Sequence, residues 1–253
     1  MKFIDCHAHL NMETEEELEL KIKIAKKEDV HYIVCVNTNP KSFNHLIIEN
    51  KYKELIKVIG VNRTLATGNF SPLISILRDA LEEYNPSGIG EIGLDYQTYW
   101  GPVFPEKQQE MFRAQLRLAR EFNLPFVIHS HDADKDLITL LEEEKAHDLR
   151  SQIHGCICGI ETYKKLLDMG LFLSFGYIHL IDNKLRDLIL HTPVERILTE
   201  TDSPYAPTFQ SLEGDSQPAE VPLITKEIAK LKGLEIKEFT SIVLKNAKNV
   251  FRF

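Results

Sequence analysis

His7 and His9 flank a single alanine near the N-terminus, in the stretch FIDCHAHL (3–10). Alternate residues of an extended strand point to one side, so an imidazole pair with this spacing can grip one metal ion together. Four more residues of metal-competent type occur along the chain: Glu91, His129, His154 and Asp202. Imidazole and carboxylate donors together suit zinc, iron or manganese, and tolerate magnesium where carboxylates dominate. A lone histidine or a lone His-x-His is weak evidence, because such residues are more often hydrogen-bonded core or surface groups. That bland reading is the one for His45, His179 and His191. The weight therefore rests on all six residues meeting in one place, which the surrounding elements must arrange.

Period and punctuation predict a strand-then-helix alternation from end to end. Strands are expected at Lys2–Cys6, Val30–Val36, Ile56–Val61, Ser87–Ile92, Leu124–His129, Ser151–Ile157, Leu171–Phe175 and Glu195–Glu200. Stretches of helical composition separate them: Thr14–Glu28, Ser42–Tyr52, Pro72–Tyr84, Pro105–Phe122, Ala133–His147, Ile160–Met169 and Asn183–Leu190, with Ala219–Leu231 and Lys237–Phe251 after the last strand. Eight apolar strands alternating with amphipathic helices in 253 residues match an α/β fold of the (β/α)8 TIM-barrel type, as a single domain over residues 1–253. An open doubly wound sheet is the rival, disfavoured because no glycine-rich phosphate loop follows the first strand. In such a barrel the active groups lie at the C-terminal ends of the strands. His7 and His9 end the first, Glu91 the fourth and His129 the fifth; His154 lies in the sixth, and the eighth runs into Asp202.

Composition narrows the function class. Hydrophobic residues at 43% and charged residues at 27% are ordinary for a globular domain, and no apolar run approaches a membrane span. The N-terminus has the features of neither a signal nor a transit peptide, so a cytoplasmic protein is expected. Cys6, Cys35, Cys156 and Cys158 show no disulfide-framework spacing, as suits a reducing compartment, and the close pair Cys156 and Cys158 reads as buried inert thiols. A formal charge of −8 argues against a broad basic face for nucleic acid but leaves room for a local anion site. Without a heptad or dimerisation motif, a monomer is the default.

Two divalent ions about 3.5–4 Å apart, bridged by Glu91, would activate water and hold both the attacking and leaving oxygens of an ester. Asp202 is then placed to orient that water and accept its proton. Nucleophilic alternatives compete poorly: Ser130 follows His129 without a glycine elbow, and Cys6 points away from both histidines of its strand.

These residues in these contexts resemble the TatD family of metal-dependent deoxyribonucleases, among the amidohydrolase-like barrels. The matching stretches are FIDCHAHL (3–10), GIGEIGLDY (88–96), EKQQEMFRAQLRLAREFNLPFVIHSHDA (106–133), ILTETDSPYAP (197–207) and NAKNVF (246–251). The resemblance implies that His7, His9, Glu91, His129, His154 and Asp202 are metal ligands, for Mg, Mn or Zn. It also implies hydrolysis of DNA phosphodiesters, often from a 3′ end.

The departures bear on substrate. Where the family usually shows Gly-x-His-Pro, this chain reads Gly60-Val61-Asn62-Arg63, and Arg63 is a candidate anion contact. His131 replaces an arginine after the strand-five histidine, trading a permanent phosphate donor for a titratable one. The usual His-Cys-Phe-Ser-Gly becomes HGCICG (154–159), and EGDSQPAEVP (213–222) brings acidic residues where an Arg-x-Asn-x-Pro stretch is usual. Tyr96 is a second candidate substrate contact, with rim packing as its alternative, and Tyr99, Trp100 and Phe104 are a candidate base-stacking surface, with packing of their loop onto the barrel rim as the equal alternative. A TatD-type deoxyribonuclease is thus the leading expectation. A metal-dependent amidohydrolase, lactonase or carboxylic esterase acting on a small molecule is the alternative, and a non-catalytic metal-binding protein comes third.

Overall fold

Each apolar run pairs with the next one along the chain. The strands β1 (Phe3–Ala8), β2 (Val30–Asn37), β3 (Leu55–Ile59), β4 (Gly88–Asp95), β5 (Phe126–His131), β6 (Gln152–Ile153), β7 (Phe172–Phe175) and β8 (Ile197–Thr199) form one parallel sheet in sequence order. The structure is a computed structural model that describes residues 1–10, 14–99, 101–207, 209 and 216–253. A parallel pair needs a crossover connection, and helices supply it. They are α1 (Glu15–Lys27), α2 (Leu46–Glu49), α3 (Ser71–Tyr84), α4 (Pro105–Glu121), α5 (Asp134–Glu143), α6 (Ile160–Asp168), α7 (Ile178–Ile181) and α8 (Asn183–His191), while α9 (Val221–Leu231) and α10 (Ile236–Phe251) follow the last strand. The expected (β/α)8 TIM barrel is the architecture found.

Because helices cover parallel strands on the outside, the strands are buried on both faces, and every residue of β1 and β4 is buried. The first and last strands meet through an isolated parallel bridge between Ala8 and Ser203. His9 N donates to Ser203 O at 2.6 Å and Asp202 N to His7 O at 3.0 Å, so the seam of the barrel runs through the presumed ligands themselves. Asp5 reinforces it: its carboxylate accepts the His7 and Thr201 amides and, at 2.5 Å, the Thr201 hydroxyl.

The boundaries differ from the sequence expectation where local backbone chemistry decides. β1 runs on through His7 to Ala8, and β4 to Asp95. β6 shrinks to two residues, because Gly155 turns the chain into the left-handed region (φ 49°) directly after His154. The helix expected at Ser42–Tyr52 divides into a 3-10 turn, capped by Asn39 and opened by Pro40, followed by the single turn of α2. The helix expected to reach His147 stops at Glu143, where Lys145 takes a left-handed conformation (φ 50°). β4 needs its glycines: a Cβ on Gly93 (φ 135°) would lie 2.0 Å from His129 O, and one on Gly90 would lie 2.7 Å from Val127 Cβ. The β4–β5 register shifts between Gly90 and Ile92, which sets Glu91 at a bulge. Bulges re-aim side chains in this way.

Candidate metal centre

The strand ends bring all six sequence-predicted ligands together. His7 and His9 come from the end of β1, Glu91 from the β4 bulge, His129 from β5, His154 from the turn after β6, and Asp202 from just beyond β8. His9 Nδ1 is 3.0 Å from the Val36 carbonyl. A carbonyl only accepts, so that nitrogen carries the proton and a neutral ring leaves the Nε2 lone pair bare. Nε2 faces His7 Nε2 at 3.1 Å, Glu91 Oε2 at 3.4 Å and Asp202 Oδ1 at 3.7 Å. A second group gathers on the other oxygen of the same carboxylate. His129 Nδ1 lies 2.8 Å and His154 Nε2 3.4 Å from Glu91 Oε1, and the two nitrogens are 3.0 Å apart.

Three sets of donor atoms therefore each fall within 4.8 Å of one another: His7, His9 and Glu91; His7, His154 and Asp202; and Glu91, His129 and His154. Pairs of imidazole nitrogens at hydrogen-bond distance can share only one proton, and each pair also faces carboxylate oxygens. Such a donor set fits divalent cations.

The electrostatics of the protein groups follow from this crowding. Burial pulls the His7 imidazole well below its usual range, and the neighbouring His154 and His9 rings add to it. His154 goes the other way: burial opposes its charge, but Glu91 and Glu200 outweigh that and hold it well above the ordinary value. Burial likewise works against the Glu91 carboxylate, which His154, Arg63 and His129 nevertheless keep well below its usual range. Asp202 is pushed up to about 6 by desolvation, against the pull of His154 and His9, although its side chain remains 28% exposed toward the cavity.

Sequence reasoning missed three carboxylates of this centre. Asp95 Oδ2 stands 3.2 Å from His129 Nε2. Buried Glu200 accepts the Gly155 amide at 2.7 Å and lies 3.5 Å from His154 Nδ1. Asp5 braces the seam. Each lies inside a stretch the family resemblance had marked. Asp95 ends β4, but the strand was expected to stop at Ile92; Asp5 does not end its expected strand, and Glu200 closes its own just ahead of Asp202.

The candidate substrate contacts lie around the mouth. Arg63 follows β3 on a short turn tied by the Asn62 side chain, which accepts from Thr64 N. Its guanidinium donates to Glu91 Oε1 at 2.9 Å and to Asp95 Oδ2 at 3.1 and 3.2 Å. Tyr96 borders the neighbouring cavity, with its hydroxyl donated to Asp136 and accepting from Gln109. His131 lines both cavities. Burial and the nearby His129 hold it down at about 4, so it is neutral near pH 7 and is no substitute for an arginine there. Tyr99 and Phe104 are exposed, at 83% and 46%, while Trp100 and residues 213–215 of the acidic stretch lie outside the described residues. The Cys156 and Cys158 sulfurs are 3.8 Å apart; Cys156 is buried, but Cys158 is only partly so and lines the neighbouring cavity, contrary to a buried pair.

The central cavity measures about 350 Å³ and holds Arg63, Glu91, Asp95, His129, His154 and Asp202 in its wall. Among the described residues lining it and the adjoining cavities, Arg63 and Lys135 are the permanent cations. Among the described residues, no helix is long and apolar enough to cross a membrane.

Comparison with known proteins agrees with this geometry. YabD of Bacillus subtilis, named an uncharacterized metal-dependent hydrolase, is 32% identical over 252 residues, covering 98% of each chain. A protein of Rahnella named 3′-5′ ssDNA/RNA exonuclease TatD is 31% identical over 177 residues, 66% of this chain and 65% of its own. The crystal structure of YJJV, a TatD homologue from Escherichia coli K12, superposes with a TM-score of 0.91 at 23% identity, covering 99% of this chain and 98% of that one. The sequence profile described as TatD related DNase matches residues 4–252, and the chain accordingly belongs to this family of metal-dependent hydrolases.

Proposed function

We propose that the chain is a phosphodiesterase of the TatD type that acts on DNA, shortening it from a 3′ end with two divalent ions, Zn, Mg or Mn. The observation that carries this reading is the division of Glu91, whose Oε2 faces His7 and His9 while Oε1 faces His129 and His154. In this reading His7, His9, Glu91 and Asp202 would hold one ion, and Glu91, His129 and His154 would hold the other. Bound there, the ions supply Lewis acidity and an activated water. Asp202, partly open to the cavity, orients the attacking water and takes its proton. Glu91 keeps the two groups of donors in register, and the bulge of β4 keeps Glu91 itself aimed inward. Arg63 is the permanent cation among the described residues of the central cavity wall, where it would meet a phosphate, and Tyr96 borders the neighbouring cavity. The Rahnella relative, named an exonuclease, supports the polarity of cleavage. The setting is the cytoplasm, in keeping with the cysteine usage of the sequence, and the default state is a monomer, the sequence having no heptad or dimerisation motif.

One observation favours a second reading, a small carboxylic ester, lactone or amide as substrate. The mouth offers a polyanion few free cations, since Arg63 is already paired with Glu91 and Asp95. End-labelled single- and double-stranded DNA, incubated with the protein and Mg, Mn or Zn beside a chelator control and Glu91→Gln, separates the two. Metal-dependent shortening that Glu91→Gln abolishes is the expected result, and the labelled end that survives reports direction. Intact DNA from a protein that binds metal would overturn the nuclease reading and favour the small ester or amide.

A further inference from the structure

Arg63 occupies an unusual place for a substrate-binding residue. Its side chain is only 11% exposed, and among the described residues its polar contacts go to two carboxylates of the centre. Glu91 Oε1, which accepts from Nη1, is the same oxygen that faces His129 and His154. Asp95 Oδ2, which accepts from Nε and Nη2, is the oxygen that faces His129 Nε2. The guanidinium and His129 thus share both acceptors, and the positive charge lies directly against one of the two donor groups. Among the described residues, no Lys or Arg pairs with the other group, His7, His9 and Asp202 around Glu91 Oε2. A guanidinium is a permanent cation whose fork matches carboxylate geometry.

We infer that Arg63 acts as a resident cation of the Glu91–His129–His154 group and makes the two groups unequal in their hold on divalent metal. It neutralises the oxygen a second ion would need and repels the ion that approaches it. The group of His7, His9, Glu91 and Asp202 then fills first and tightly, and the second group fills only at higher metal concentration. Filling it displaces the Nη1 contact of Arg63 with Glu91. The inference rests on the two-ion reading above and assigns to Arg63 the order of loading, a specificity-determining role distinct from substrate contact.

Isothermal titration of the full chain, stripped by chelator, with Mn2+ tests it without any turnover. The wild-type protein should show two steps of unequal affinity. R63M, which removes the charge and keeps the apolar stem, should tighten the weaker step by about 10–100-fold, the range over which partners of metal ligands act, and leave the tighter step in place. R63K, which keeps a charge but not the fork, should fall between them. Melting of each variant in chelator checks that it is folded. An R63M protein whose weaker step is unchanged, or weaker still, overturns the inference while leaving the two-ion reading intact. Wild-type protein that takes up no divalent ion overturns both.

Discussion

Glu200→Gln tests how the centre is held from behind. Glu200 is 1% exposed, accepts the Gly155 amide through Oε1 at 2.7 Å, and lies 3.5 Å from His154 Nδ1. Among the described residues its other oxygen has no hydrogen-bond partner, and Glu200 is the carboxylate that faces His154 Nδ1. The carboxylate therefore pins the turn that follows the ligand and bears on the ring nitrogen opposite the one that faces Glu91 and His129. Such a carboxylate fixes the tautomer of a ligating imidazole and raises its basicity, and removing it costs about 10–100-fold in metal affinity. That corresponds to about 1.4–2.7 kcal/mol. Glutamine keeps the size of the side chain and an oxygen for Gly155, so the metal-free fold should survive. Titration with Zn2+ against a chromophoric chelator is the assay, with circular dichroism and melting of the metal-free protein as controls. A folded Glu200→Gln protein with unchanged metal affinity would refute the reasoning and reduce Glu200 to a loop anchor.

Three other outcomes follow from the same structure. Asp202→Asn should keep metal-free melting behaviour while lowering turnover about 10²–10⁴-fold, the worth of a positioned general base, and near-normal rates would move proton transfer to another group. Burial pushes the Glu49 carboxyl from 4.5 to about 7 against the Cys35 thiol and Lys57, so its protonated form favours the fold. That contribution is present below pH 4.5 and is lost as pH rises to 7, about 3 kcal/mol in all, and Glu49→Gln should remove this part of the decline in urea-unfolding stability. Parallel wild-type and mutant profiles would contradict the assignment. Gly93→Ala should destabilise by more than about 1 kcal/mol in a denaturant titration, because both its φ and the approach of His129 O exclude a Cβ; an unchanged midpoint would count against the β4–β5 packing described.

Much of the architecture was legible in the chain. Parallel strands buried on both faces read as apolar runs, and the crossovers they require read as amphipathic helices, so the count and order of units followed from pattern alone. Ends were less legible, because they depend on single backbone choices: Gly155 cutting β6 short, Lys145 stopping α5, Pro40 opening a 3-10 turn where a helix was expected.

What the sequence determined by itself was the kind of donors and their place at strand ends, since strand periodicity and parallel topology send alternate residues and successive C-termini to one rim. Only the tertiary structure decided how those donors divide. The β4 bulge turns one oxygen of Glu91 to each pair of histidines, and closure of β1 onto the residues after β8 brings Asp202 against His7 and His9. The pairing of Arg63 with Glu91 and Asp95, and of Glu200 with Gly155 and His154, joins residues 28, 32, 45 and 46 positions apart. No local pattern encodes such contacts, because they exist only when separate strands are held edge to edge around one barrel.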